Sequence, residues 1–172
     1  MNIILIGYRG SGKSSIGRAL AARLGRTFVD TDAVIVQAAG CTIKEIFERE
    51  GEAGFRTREA AAIRQVCAAE NQVIAAGGGA VLRVENVATF RSRGTVIWLK
   101  APPEVLYARI QQDAETSKTR PNLTAHGGLE EVKKVLAART PLYQGTAHHE
   151  LDVAHFSVDD AASAIEAMLA RK

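Results

Sequence analysis

The sequence predicts an α/β fold in three layers, with a five-stranded parallel sheet flanked by helices. Short apolar runs alternate with segments of helical periodicity along all 172 residues, which is the pattern of a sheet whose strands are joined by helical crossovers. A glycine-rich turn links the first apolar run to the first helical segment. The length suits one domain, residues 1–172, and no repeat or linker divides it.

Five strands are predicted where the apolar runs occur. The first, NIILIG, is a continuous apolar run, which is typical of a parallel strand buried on both faces. It covers residues 2–7. The runs TFVDTD, QVIAAGGG, TVIWLK and HHELDVAH place the other strands at 27–32, 72–79, 95–100 and 148–155.

Helices are predicted between the strands. Ile16, Leu20 and Leu24 recur at helical spacing after the first strand, and Pro102 and Pro103 suit the first turn of a later helix. After the second strand the predicted helical segments are 33–39, 42–50, 53–70, 84–92, 102–112, 129–143 and 158–171. The segment 102–112 is the one that begins with the two prolines.

Two stretches depart from simple alternation. The mostly helical region 33–70 exceeds a minimal crossover and suits a substrate-binding insertion. Residues 113–128 carry almost no large apolar side chain, and a loop of this length in a compact domain is typical of a mobile lid or of disorder.

Composition excludes several classes of protein. No run approaches the roughly 18 apolar residues of a membrane span, and the amino terminus has no basic lead-in or cleavage site, so we expect neither a membrane helix nor a secretory signal. The net charge of +3 comes without a basic run, which argues against nucleic-acid binding. Cys41 and Cys67 are far apart and are predicted to be reduced. We expect a monomer.

The glycine-rich turn is a phosphate-loop pattern, Gly7-x-x-x-x-Gly12-Lys13-Ser14. It follows a strand and opens a helix, the context in which its backbone N–H groups and the helix N-terminus bind phosphate. Lys13 is predicted to reach the β- and γ-phosphates of a nucleoside triphosphate and Ser14 to bind Mg²⁺. The pattern does not specify the phosphate acceptor.

Two aspartates lie at the end of the second predicted strand, at the edge where ligands bind in open parallel sheets. In an extended chain Asp30 and Asp32 would face the same side, about 7 Å apart at ~3.3 Å per residue. One carboxylate would support the metal while the other meets an acceptor hydroxyl. The alternative is that Asp32 is only a helix N-cap.

Several arginines are candidates for binding an anion. Arg139 falls on the apolar stripe formed by Leu129, Val132, Leu136 and Tyr143, where an arginine needs an anionic partner. Pro141 is expected to disturb this helix end and to turn Arg139 into a pocket. Other arginines at positions of interest are Arg56 and Arg58 near a helix start, Arg120 in the lid and Arg109 on the helix before it. For these a solvated surface role is the alternative.

Three consecutive glycines, Gly77–Gly79, close the third strand. Glycine is costly to order, so three together indicate a close approach of backbone and ligand. We expect a flat floor whose N–H groups meet the acceptor, with Gly78 as the main contact.

The consecutive residues His148, His149 and Glu150 lie on the fifth predicted strand. Neighbouring residues of a strand point to opposite faces, so we interpret this group as a surface feature.

These motifs together resemble the shikimate kinase family along nearly the whole chain. The resemblance rests on Gly7–Ser15, Asp30-Thr31-Asp32, GEAGFRTRE, Gly77–Gly79, TRPNL and ARTPLY. It implies a cytoplasmic P-loop kinase domain that transfers the γ-phosphate of ATP to the 3-hydroxyl of shikimate, with Mg²⁺, in aromatic amino acid biosynthesis.

The resemblance also implies roles for individual residues. Asp32 would orient or deprotonate the hydroxyl, Arg56 and Arg139 would grip the ring carboxylate, and Gly78 would contact the acceptor. Lys13 and the lid residue Arg120 would be catalytic with Asp32, and Ser14 and Asp30 would serve the metal. The nucleotide would be bound by Gly10, Ser11, Gly12, Lys13, Ser14, Ser15, Arg109 and Arg120.

Two departures from the family pattern and two alternative functions stay open. Asn122 stands where the family lid usually has leucine, and DVAHFSV near the last strand lacks the proline-bearing turn that often lines the adenine. The alternatives are a different small-molecule kinase, acting on a sugar acid or a nucleoside monophosphate, and a non-catalytic nucleotide-binding regulator.

Overall fold

A computed structural model describes residues 1–113 and 127–170. It confirms the predicted five-stranded parallel sheet flanked by helices, with strand order β2-β3-β1-β4-β5. The strands are β1 Asn2–Ile6, β2 Thr27–Asp30, β3 Gln72–Ala75, β4 Gly94–Lys100 and β5 His149–Asp152. In the described ranges the helices are α1 Lys13–Leu24, α2 Thr31–Ala39, α3 Ile43–Ala68, α4 Val84–Arg93, α5 Pro103–Gln112, α6 Gly128–Thr146 and α7 Val158–Ala170, with a short 3₁₀ turn at Ala80–Leu82.

The central strand β1 is buried on both faces, which produces the three layers. Ile3 and Leu5 join a core cluster with residues of α1, α5 and α7. Ile4 and Ile6 point to the opposite face and join a second cluster with residues of α3 and α4. Because successive strand side chains alternate between faces, a continuous apolar run is what a doubly covered strand requires.

The helical region after β2 has a small core of its own. Thr42 and Glu45 form a capping box at the start of α3, which is a strong helix initiation signal. Gly51 has φ 69° and ψ −176° within α3, so the two predicted segments 42–50 and 53–70 are the two halves of one broken helix. Ile35, Ile46 and Phe55 lie in a separate cluster between α2 and α3.

Three strands end at least two residues earlier than the sequence predicts. β2 ends at Asp30 and α2 begins at Thr31, so the strand predicted at 27–32 is too long and Asp32 is helical. The predicted strand 72–79 ends at Ala75, which leaves Gly77–Gly79 in the turn after β3. β5 is also shorter than 148–155. These errors share one cause, because the apolar pattern does not show where the ladder of hydrogen bonds stops.

The helix that carries Arg139 runs past Pro141 to Thr146, so the predicted end at 143 is wrong. A proline inside a helix loses one backbone hydrogen bond, and here the last turn is held by tertiary contacts. The Tyr143 hydroxyl donates to the Gly78 carbonyl at 2.5 Å, and the Tyr143 ring stacks on Trp98 with centroids 5.7 Å apart.

The predicted lid, 113–128, lies almost entirely outside the described residues; Asp113 follows the end of α5 and Gly128 begins α6. Both cysteines are free thiols, Cys67 buried and Cys41 partly exposed. Within the described ranges, no helix combines the length and apolar character needed to cross a membrane.

Candidate active site

The phosphate loop has the backbone conformation that its glycines allow. Gly7, Gly10 and Gly12 all have positive φ, at 143°, 80° and 87°, which residues with a side chain rarely adopt. The loop wraps around the Lys13 ammonium, which donates to the carbonyl oxygens of Gly7 and Tyr8, each at 2.9 Å. The structure therefore places a positive charge within the loop, at the start of α1.

A large cavity opens over the loop. Of the sequence-predicted nucleotide-binding residues, six line it: Gly10, Gly12, Lys13, Ser14, Ser15 and Arg109. Ser11 does not, since it is fully buried. Arg120 lies outside the described residues. The far end of the cavity is lined by Asp113, Val153, Phe156, Ser157 and Val158.

Arg109 is fixed at that far end by backbone carbonyls. Its Nη2 donates to Val153 at 2.8 Å and to Ala154 at 3.4 Å. The guanidinium therefore lies beside the segment after β5, where the sequence offered no clear nucleotide contact.

Asp30 links the loop to α2. Its Oδ2 accepts from the Ser14 hydroxyl at 2.7 Å and its Oδ1 accepts from the Asp32 N–H at 3.0 Å. Asp30 is thus the N-cap of α2, a position that the sequence analysis considered for Asp32. The expected extended geometry of the two aspartates is wrong, because the N-cap starts the helix directly after Asp30. Both carboxylates nevertheless line the nucleotide cavity.

A second, smaller cavity adjoins the first. It brings together all four residues predicted to bind the acceptor, Asp32, Arg56, Gly78 and Arg139. Ile43, Phe47 and Phe55 from the start and middle of α3 form an apolar wall. Arg9, Asp32 and Gly77 line both cavities, so the two spaces meet at these residues.

Two buried guanidinium groups line this second cavity, together with Arg9, Asp32 and Glu59. Arg56 and Arg139 are each only 8% exposed. Arg56 pairs with Glu59 at 2.8 Å, while its Nε is buried without a hydrogen-bond partner among the described residues. The Arg139 guanidinium lies 5.9 Å from the centroid of the Tyr8 ring. An anion such as a carboxylate is the ligand such a pair of arginines binds best.

Arg58 does not join the site. Its guanidinium pairs with the Glu50 carboxylate at 2.8 Å on the surface, which is the surface role the sequence left open. His148 is also structural, since its Nδ1 accepts from the Val96 N–H at 2.9 Å. Glu150 pairs with Lys100 at 2.9 Å.

Burial and hydrogen bonding shift the pKa values of two groups around the acceptor cavity. Burial raises the pKa of the Glu59 carboxyl, although the adjacent Arg56 guanidinium acts against this. Burial raises the pKa of the Tyr143 phenol to about 12, against the effect of Arg139. Tyr143 is therefore a neutral donor to the Gly78 carbonyl.

Each of the three glycines makes room for a charged side chain or the loop. A Cβ on Gly77 would lie 2.7 Å from Asp32 Oδ1, and one on Gly79 would lie 2.5 Å from Arg56 Nη1. A Cβ on Gly78 would meet only ordinary contacts, at 3.4 Å from the Arg9 nitrogen and beyond. The Gly77 N–H donates to Thr31 Oγ1 at 3.1 Å, so the predicted contact of that N–H with the acceptor is wrong.

Sequence reasoning missed several residues of the site. Glu59 lies three residues after Arg56 on a helix, a spacing that indicates an ion pair and that could have revealed it. Arg9 occupies a variable position of the loop pattern, and its partner Glu131 is 122 residues away, so no local signal identifies either one.

Comparisons with known proteins agree with this geometry. A family model described as "Shikimate kinase" matches residues 9–170. The chain is 47% identical over 165 residues to a shikimate kinase of Symbiobacterium thermophilum, covering 96% of this chain and 94% of the relative. A shikimate kinase of Rhodopirellula baltica is 43% identical over 159 residues, with 92% and 85% covered.

Solved structures give the same result. Shikimate kinase from Acinetobacter baumannii, in complex with shikimate, has a TM-score of 0.92 and 37% identity, covering 99% of this chain and 94% of that one. Shikimate kinase from Aquifex aeolicus has a TM-score of 0.82 and 32% identity, covering 99% and 96%.

Proposed function

The chain belongs to the shikimate kinase family and is an ATP-dependent kinase of aromatic biosynthesis, and we propose that its two adjoining cavities bind ATP and shikimate for direct phosphoryl transfer. The observation that carries this proposal is the meeting of the two cavities at Arg9, Asp32 and Gly77. A phosphate loop lines one cavity and two buried arginines line the other, so donor and acceptor would face each other across Asp32.

The nucleotide cavity has the donors that a triphosphate and its metal need. Gly10, Gly12 and Ser15 line the loop side, and the Lys13 ammonium would exchange its bonds to loop carbonyls for phosphate oxygens. Ser14 Oγ and Asp30 Oδ2, 2.7 Å apart, are hard oxygen groups of the kind Mg²⁺ prefers. Bound there, Mg²⁺ would neutralise charge on the β- and γ-phosphates.

The acceptor cavity fits a hydroxylated ring with one carboxylate. Arg56 and Arg139 would bind the carboxylate, and Phe47 and Phe55, whose ring centroids are 4.7 Å apart, would cover a face of the carbon ring. Asp32 lies on the side shared with the nucleotide, so it would receive the hydroxyl that reacts. Gly78, on the floor of the cavity, would contact the acceptor.

The reaction is an in-line transfer that depends on positioning and charge. The 3-oxygen of shikimate forms a bond to the γ-phosphorus as the bond to the β–γ bridging oxygen breaks. The hydroxyl proton passes to the Asp32 carboxylate, and ADP leaves. Arg120, which lies outside the described residues, would close over the phosphates with the lid at 113–128 and exclude water.

The chain would act as a single domain and as a monomer in the cytoplasm. Residues of one chain line both cavities, which supports a complete site in each monomer. Residues 33–70 would be the acceptor-binding region, as the apolar wall from α3 indicates. The free thiols of Cys41 and Cys67 suit a reducing compartment.

An ADP-release assay across an acceptor panel tests this function. The panel contains shikimate, a sugar acid, a nucleoside monophosphate and no acceptor. The proposal predicts release with shikimate that exceeds every other condition by orders of magnitude. Preference for the sugar acid or the nucleotide would identify a different small-molecule kinase. Nucleotide binding without any acceptor-dependent release would identify a non-catalytic regulator.

A further inference from the structure

We propose that Arg9 contacts the phosphoryl group as it passes from ATP to shikimate, and that Glu131 is the positioning residue that holds Arg9 there. This inference rests on the proposed function and adds two residues to the machinery. It concerns the boundary between the cavities, which the phosphoryl group must cross.

Arg9 is the cation at that boundary. Of the three residues that line both cavities, Asp32 is acidic and Gly77 has no side chain. A phosphoryl group in transit carries negative charge on its three equatorial oxygens. A guanidinium is the side chain best suited to bind such oxygens with directed N–H groups.

The Arg9 side chain is fixed but retains an unused donor. Its Nη2 donates to Glu131 Oε1 at 2.9 Å, with 15% and 1% of the two side chains exposed. Its Nε is buried and has no hydrogen-bond partner in the part of the chain that the structure describes. A buried donor left in this state costs free energy, so the guanidinium has hydrogen-bonding capacity that Glu131 does not use.

Glu131 is well placed to hold this arginine. It lies in the first turn of α6, where the helix dipole favours a carboxylate, and the same helix carries Arg139 into the acceptor cavity. A carboxylate this deeply buried would be strongly destabilising without its cation. The pair therefore ties the phosphate loop to the helix that carries an acceptor ligand.

The rival explanation is that the ion pair only holds the loop to α6. The two explanations differ for the product, because shikimate 3-phosphate carries a phosphate at the boundary and shikimate does not. If Arg9 contacts the phosphoryl group, Arg9→Gln should weaken product binding and leave shikimate binding nearly unchanged. The expected loss is about 10- to 100-fold, the usual effect of losing a charge-assisted hydrogen bond. A purely structural pair predicts equal losses for both ligands.

Calorimetric titration of shikimate and shikimate 3-phosphate tests the inference, with kcat from ADP release on the same variants. Arg9→Lys should recover part of the product affinity because it keeps the charge. Glu131→Gln should lower product affinity and kcat less than Arg9→Gln does. Glu130→Gln, on the exposed neighbour that pairs with Lys133, is the matched control and should behave as the wild type.

Equal losses for the two ligands or an unchanged kcat in Arg9→Gln would each overturn the inference. If thermal melting shows that Arg9→Gln does not fold, Arg9→Lys alone tests the inference. Its affinity should fall for shikimate 3-phosphate and not for shikimate. The wild-type titration distinguishes failure of the proposed function from failure of the inference about Arg9. A wild type that does not bind shikimate rejects the proposed function, whereas normal wild-type binding with retained product affinity in Arg9→Gln rejects only the role of Arg9.

Discussion

Substitution of Gly79 by alanine tests how the glycine turn shapes the acceptor cavity. Gly79 has φ −100° and ψ 3°, a conformation open to alanine, so any effect comes from the added methyl group. That methyl carbon would lie 2.5 Å from Arg56 Nη1 and 2.6 Å from Cζ, whereas ordinary contacts begin at 3.4 Å. The Arg56 guanidinium must therefore retreat by about 1 Å.

The expected consequence is a selective loss of acceptor binding. A displacement of ~1 Å in a positioning group costs on the order of 100-fold in kcat/KM, or about 2.7 kcal/mol. Steady-state ADP release should show this loss for shikimate, with the KM for ATP little changed. Because Arg56 and Glu59 form a buried pair at 2.8 Å, overpacking should also lower the free energy of unfolding by about 1–3 kcal/mol.

Gly78→Ala, on the adjacent residue, is the matched control for the effect on stability. Its methyl group would meet the Arg9 nitrogen at 3.4 Å, the Gly7 carbonyl oxygen at 3.5 Å and Arg139 Nη1 at 3.8 Å, so the free protein accommodates it without strain. It should keep wild-type stability while occupying acceptor space, and should thus impair shikimate far more than ATP. Unchanged shikimate kinetics in Gly79→Ala would refute the role of Arg56, and equal losses for both substrates would mean that the glycines serve only the fold.

Three further substitutions have distinct expected outcomes. Arg139→Ala should raise the KM for shikimate by about 10-fold or more, as expected for a lost charged hydrogen bond, with the KM for ATP unchanged. Asp32→Asn should abolish turnover in the coupled kinase assay while the thermal melt stays close to that of the wild type. Tyr143→Phe should cost about 1 kcal/mol because the Gly78 carbonyl loses its donor. Since burial raises the Tyr143 pKa from 10.0 to about 12, the wild type should lose stability as the pH rises through that interval, and denaturant titrations should show a smaller loss in Tyr143→Phe.

The fold was predictable from sequence because its main determinants are local. The apolar run of β1 and the helical periodicity of α1 are each readable from a few neighbouring residues, and β1 indeed packs on both faces. The ends of elements were less predictable. Asp30 ends β2 and caps α2 with one side chain, and only that hydrogen bond shows where the strand stops. Helix α6 continues past Pro141, and its end contacts the Gly78 carbonyl, which is distant in sequence.

The candidate site was predictable to the extent that its residues belong to spaced motifs. Lys13, Ser14 and Asp32 follow from such patterns, and Arg139 was identified as a charge on an apolar stripe. Arg9 and Glu131 were not identified, because their contact joins residues that are distant in sequence. The roles of Gly77 and Gly79 were also missed, since each depends on which side chain lies opposite the missing Cβ.

The most direct measurement of the central claim is the position of the transferred phosphate. The chain is incubated with shikimate, ATP and Mg²⁺, and the product is examined by mass spectrometry and by phosphorus–proton coupling in NMR. The account predicts one added phosphoryl group, located on the 3-oxygen, formed in step with ADP and absent with Asp32→Asn. Phosphate on another oxygen, or ADP formed together with free inorganic phosphate, would contradict it.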